Sequence, residues 1–170
     1  MHADELRSIQ APLKAQYRAS PDAALVTLRA QGRLAEGVHC KIETGKGMVT
    51  AGLHPASGGN GLSACSGDML LEALVACAGV TVNAVATALG IELRDAVVQA
   101  EGDLDFRGTL GVAKEVPVGF QAIRLNFTLD SDASDEQLAT LLRLTERYCV
   151  VYQTLVRPPT LTATQQTLQA

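Results

Sequence analysis

No tryptophan occurs in this chain, and only three phenylalanines and three tyrosines are spread over its 170 residues. So few rings argue against the stacked aromatic platforms that grip single-stranded nucleic acid. There is no run of lysine and arginine either. Fourteen basic residues against 18 acidic ones leave a net charge of −4. That balance lacks the electrostatic footprint that nucleic acid or an anionic membrane requires, so neither is an expected partner. The first 22 residues, MHADELRSIQAPLKAQYRASPD, have no apolar core like that of a secretory signal. Four cysteines (Cys40, Cys65, Cys77, Cys149) with no sign of export point to a reducing, cytoplasmic setting. Pairing between them is then expected to be transient and catalytic rather than structural. With His2, His39 and His54 they show no paired short-range ligand spacing, so no metal site is expected.

What is present is a globular composition, 47% hydrophobic and 19% charged, of a length that suits a single domain over 1–170. Residues 3–18 read as a surface helix interrupted by Pro12 and closed by ASPD, within an N-terminal extension of 22 residues. ALVTLRA (24–30) and GVHCKIETG (37–45) alternate as strands, and MVTAGLH (48–54) completes a meander. HPASGGNGLSACSG (54–67) is an irregular loop. Its SGGNG lacks the strand before it and the Lys-Ser/Thr after it that a phosphate loop needs. Ser66 is the expected N-cap of the next helix. Strands follow over 91–108 and 120–130. SDEQLATLLRLTERYC then opens with a capping box, Ser134 with Gln137. It buries a stripe of Leu138, Leu142, Thr145 and Cys149. A polar tail occupies 159–170. This order predicts an α+β fold, with antiparallel sheets packed on helices.

The most informative stretch is DMLLEALVACAGVTVNAVATALG, residues 68–90, an almost wholly apolar helix with one thiol near its middle. Glu72, Thr81, Asn83 and Thr87 interrupt it and its side chains are mostly small, so it reads as a buried central helix rather than a membrane span. A helix apolar on all sides needs cover on all sides. Ala73, Cys77, Thr81, Ala84 and Ala88 form a small-residue stripe that admits another helix, and a homodimer is expected. Taken alone, Cys77 and Cys149 are small core hydrophobes. Each also lies on the buried stripe of its own long helix, and two such helices packed together can bring the sulfurs within disulfide reach.

DMLLEALVACAGVTVNAVA and LTERYCVVYQTL (144–155) together resemble the two cysteine motifs of the OsmC/Ohr family, the osmotically inducible and organic hydroperoxide resistance proteins. The 72-residue interval between Cys77 and Cys149 suits that family, as does the order of meander, Gly-rich loop and helix over roughly residues 23–158. The resemblance implies an OsmC-like fold and an intertwined homodimer with each active site at the subunit interface. It implies a thiol peroxidase acting on organic hydroperoxides, with Cys77 as the peroxidatic thiolate and Cys149 as the resolving thiol. No bound cofactor is implied; an external dithiol, often a lipoyl protein in the family, restores the thiols.

A buried thiol needs help to ionise, and Cys77 lies about three turns into its helix, beyond the reach of the helix dipole. The family uses an arginine near the first strand, oriented by a carboxylate. Arg33 is the favoured candidate here and Arg29 the second. The family's acid commonly falls ten residues before the reactive cysteine, where this chain has Gly67. Asp68, next along, matches relatives with the acid nine residues before, whereas Glu72 faces elsewhere on the helix. Val150 stands where a proline commonly follows the second cysteine. Leu70, Leu74 and Val80 are the expected apolar walls around Cys77. Cys40 reads as core and Cys65 as a bystander in the loop. The alternative reading is a dimeric binding protein with an apolar interface pocket and no peroxidase activity.

Overall fold

The computed structural model describes residues 3–34, 40–42 and 51–167. The first helix, α1 (Ala3–Ala19), runs through Pro12 without a break, against the sequence expectation. A short turn of 3-10 helix (Pro21–Ala24) leads into β1 (Leu25–Leu34). β2 covers Cys40–Ile42, and the rest of the strand expected over 37–45 lies outside the described residues. Of the third expected strand, residues 48–50 lie outside them too. Residues 51–54 are loop, with one isolated bridge between Ala51 and Ala64.

The long apolar segment folds as α2 (Ser66–Leu89), and its N-cap is Cys65, one residue earlier than expected. It stops at Gly90, whose φ of 68° is the left-handed conformation that ends helices. β3 (Asp95–Asp105), a single turn α3 (Phe106–Thr109) and β4 (Phe120–Asp130) follow. The strand expected over 91–108 is therefore shorter at both ends. Asp105 stops it by accepting the Arg107 N–H at 2.9 Å and pairing with the Arg107 guanidinium at 2.5 Å.

Ser134 and Gln137 form the expected reciprocal capping box at the start of α4 (Asp135–Tyr148). The helix does not continue through Cys149, where ψ swings to 108° before α5 (Val150–Val156). Residues 158–167 have no regular structure and are exposed.

Among the described residues the strands form a four-stranded antiparallel sheet in the order β2-β1-β3-β4. Ala96, Val98, Ala100 and Gly102 form its buried row on β3, and α2 packs on that side together with α4 and α5. The core joins Leu71, Leu74, Val75, Ala78, Val82 and Ala86 of α2 to Val98, Ala100, Leu141 and Cys149. α2 is long and apolar enough to cross a membrane by composition, but this face is taken up by the chain's own core. Gly102 has a specific role: the Phe120 ring occupies the space where a β-carbon would sit.

Candidate active site

Cys77 lies in the middle of α2, half-buried and unpaired. Cys149 occupies the break between α4 and α5 and is almost wholly buried. The break gives Cys149 two roles. Its N–H still closes α4 on the Thr145 carbonyl at 2.9 Å, while its sulfur accepts the Tyr152 N–H at 3.5 Å and so caps α5. Its side chain also interacts directly with that of Cys77. The fold thus brings together two thiols 72 residues apart in sequence, one partly open and one sealed.

Burial pushes the Cys149 thiol up to about 11. The donated Tyr152 N–H opposes that rise, and the adjoining Cys77 sulfur adds to it. Desolvation wins because a thiolate loses more solvation here than one long hydrogen bond returns. At neutral pH Cys149 therefore keeps its proton, and the partly open Cys77 is the thiol that an incoming reagent meets first. Two adjacent thiols of this kind can lose two electrons and close a disulfide.

An open, mostly apolar groove of about 710 Å³ lies between α2, β4, α4 and α5, and neither thiol is among its walls. Leu70, Leu74, Ile123, Leu125, Tyr152 and Leu155 are among its walls. Leu74 is three residues before Cys77, and Tyr152 is the residue whose amide meets the Cys149 sulfur. Of the three walls expected around Cys77, Leu70 and Leu74 line this groove. Val80 does not: it is 39% exposed, on the uncovered side of α2.

Asp68 is nine residues before Cys77, about 180° around the helix. It is half-buried and has His54 as its electrostatic neighbour. Burial raises its carboxyl above the ordinary value, partly opposed by His54. His54 is held by two contacts: its Nδ1 accepts the Ala56 N–H at 3.0 Å, and its ring stacks on Phe106 at 5.0 Å. Tyr17 of α1 steadies the same turn by donating its hydroxyl to the Ala56 carbonyl at 2.6 Å. In the sequence His54 stands out only as a candidate metal ligand without a paired partner. The one signal for its actual role is its place before Pro55, where a turn begins.

Arg29 is in register with Glu101, and Arg33 with Val97. Their side chains, like that of Cys40, lie outside the described ones. Cys65 is half-buried and packs against the main core.

Comparison with known proteins agrees with this architecture. Residues 58–164 match the family model for OsmC-like protein. An OsmC-like hydroperoxide resistance protein from Jannaschia sp. CCS1 superposes with a TM-score of 0.60 at 18% identity, covering 85% of this chain and 95% of that one. An OsmC-like protein from Mycoplasma pneumoniae superposes with a TM-score of 0.54 at 19% identity, covering 79% and 86%. No curated protein sequence matches the chain. With the family model spanning well over half of its length, and with this mixed helix and antiparallel sheet fold, the chain belongs to the OsmC-like family.

Proposed function

We propose that the protein is a cytoplasmic, homodimeric thiol peroxidase that reduces organic hydroperoxides. The observation that carries this reading is the side-chain contact between half-buried Cys77 and buried, protonated Cys149. The Cys77 thiolate attacks the terminal oxygen of R–O–O–H. The O–O bond breaks, the alcohol R–OH leaves after taking up a proton, and Cys77 becomes a sulfenic acid. The Cys149 sulfur then attacks the Cys77 sulfur, water departs, and a disulfide remains. An external dithiol, a lipoyl protein being the candidate, reduces it by thiol–disulfide exchange. Sealing Cys149 beside Cys77 brings the second thiol to the sulfenic acid without searching.

The dimer and the activating cation belong together in this reading. Ala73, Ala84 and Ala88 are exposed along α2 and Cys77 is only half covered, so a second copy has a small-residue surface to meet. Arg33, or failing it Arg29, supplies the cation that holds the Cys77 thiolate. We assign that arginine to the partner copy, as an active site at the subunit interface requires. Asp68 then acts at a distance, through the His54 turn, rather than as a ligand of the thiolate.

The test is direct. Reduced protein receives one equivalent of cumene hydroperoxide, free thiols are counted, and the disulfide is mapped by mass spectrometry. The expected result is a Cys77–Cys149 bond within seconds, and in Cys149→Ser a sulfenic acid at Cys77 that dimedone traps. Thiols unchanged after an hour sink the peroxidase reading and leave the groove as the site of a binding protein. Arg33→Gln and Arg29→Gln should differ, with only one slowing oxidation.

A further inference from the structure

The turn at residues 54–58 fastens α1 to the rest of the chain. Tyr17 donates its hydroxyl to the Ala56 carbonyl at 2.6 Å, and Gln10 Nε2 donates to the Ser57 carbonyl at 3.2 Å. At Gly58, whose φ is 95°, the Ile9 side chain stands where a β-carbon would come. Most bonds within the turn run to the His54 carbonyl, which accepts from the Ser57 N–H and hydroxyl and from the Gly59 N–H. One bond is different in kind. The His54 side chain caps the turn, its Nδ1 accepting the Ala56 N–H at 3.0 Å.

That bond exists in only one state of the ring. A nitrogen that accepts carries no proton, so neutral His54 holds its proton on Nε2. Imidazolium has an N–H at both positions and no acceptor, and its Nδ1–H would point at the Ala56 N–H. Two donors face to face repel, and rotation of the ring in place is opposed by its stack on Phe106. The charged groups around the turn decide where the ring goes. Asp68 of α2 interacts with His54 directly and attracts a cation there. On α3, Arg107 follows Phe106 in sequence but is held by Asp105. On α1, Tyr17 contributes a neutral hydroxyl that is already given to Ala56. A proton on His54 therefore removes the cap and draws the ring toward α2.

α1 is placed to respond without disturbing the rest. Tyr17, Ala24, Phe106 and Leu110 form a buried cluster of their own, with Leu13 and Ala56 against it, distinct from the core around α2. The ring that stacks on His54 is thus part of the small core on which α1 rests. A segment with its own small core can open locally at a cost well below that of global unfolding.

We infer that His54 is a pH-sensitive latch for α1: neutral, it caps the 54–58 turn and holds the helix down, and protonated, it turns to Asp68 and loosens α1 while the sheet and α2 stay folded. The bonds to the His54 carbonyl keep the turn from unravelling, so the response is a loosening of α1 and of the Phe106–Leu110 cluster beneath it. This device does not depend on the peroxidase reading.

Hydrogen exchange of the reduced full-length protein tests it, with rates corrected for the intrinsic pH dependence of exchange. Peptides from α1 and from the Leu71–Ala86 stretch of α2 are compared between about pH 8 and about pH 5.5, the range over which histidines gain a proton. Protection of α1 should fall about tenfold on acidification, the scale of one lost hydrogen bond, while the α2 peptide is unchanged. In His54→Asn, whose side-chain oxygen can still accept the Ala56 N–H but does not titrate, α1 should stay protected at both pH values. In His54→Ala it should be loose at both. Asp68→Asn should shrink the response, and an unchanged response there overturns the part given to Asp68. Equal protection of α1 at the two pH values in the unaltered protein overturns the latch. So does a pH response that persists in His54→Asn, or a loss of protection that α2 shares.

Discussion

The two sides of α2 are built from the same kinds of residue and end in different surroundings. One side carries Leu71, Leu74, Val75, Ala78, Val82 and Ala86, each no more than 2% exposed against the sheet, α4 and α5. The other carries Met69, Ala73, Val80, Ala84 and Ala88, all open in the single chain. Cys77 lies at the boundary. The difference shows that an all-apolar helix need not have one purpose around its circumference. The packed side holds the fold together, while the open side and its border offer a thiol and a surface to something outside the chain.

Substitutions can break this comparison, and the largest effect is expected on the packed side. Leu71→Ala removes a wholly buried side chain from the centre of the core. It should lower stability in urea unfolding by about 2–5 kcal/mol. A loss below about 1 kcal/mol would mean that the packed side carries little of the core.

At the boundary, the expected effect depends on pH. The folded protein keeps the Cys149 proton to about pH 11, against an ordinary value of 9.0. The unfolded chain therefore releases that proton first, and stability falls as pH rises from about 9 to about 11. The loss should be on the order of 2 kcal/mol, and below pH 9 this group costs nothing. Cys149→Ala should lack this part of the alkaline slope in melting experiments. Equal slopes would show that the thiol is not desolvated in solution.

On the open side, Ala84→Glu should change the unfolding free energy of the single chain by less than about 0.5 kcal/mol. The same change should abolish self-association in light scattering, and an intact dimer would place the subunit contact elsewhere. The smallest effect is expected at Asp68, on the far side of the helix. Its raised carboxyl means that the stability it contributes is fully present below about pH 3.8 and lost as pH rises through its folded value. Asp68→Asn should melt slightly higher than the unaltered protein at pH 7 and equally at pH 3. A lower melting point at pH 7 would show that the helix dipole and His54 outweigh the burial cost.

Much of the fold was legible in local pattern. The strand over 120–130 alternates cleanly because one of its faces packs on helices. The capping box at Ser134 and the stop at Gly90 are chemistry of neighbouring residues, and both stand where expected. The failures have physical reasons too. Pro12 predicts a break, yet α1 continues through it, braced on the 54–58 turn by Tyr17 and Gln10. The apolar spacing from Leu138 to Cys149 predicts a continuous helix, but the chain turns at Cys149, and its sulfur serves as the cap of a new helix. Within the site, both thiols were legible as motif residues. His54 was not, since its partner Asp68 and its stacking ring Phe106 come from other parts of the chain.

The sequence by itself determined that α2 is a helix, that it is apolar all round, and that Cys77 stands near its middle, because periodicity and residue type are local properties. Only the tertiary structure decided which side of that helix is sealed and that Cys149 rests against Cys77 with its proton held to high pH. It also decided that Asp68 faces His54 across the helix from the thiols. Those outcomes depend on which surfaces lose water to one another. That is set by packing between segments far apart in the chain, which no local pattern records.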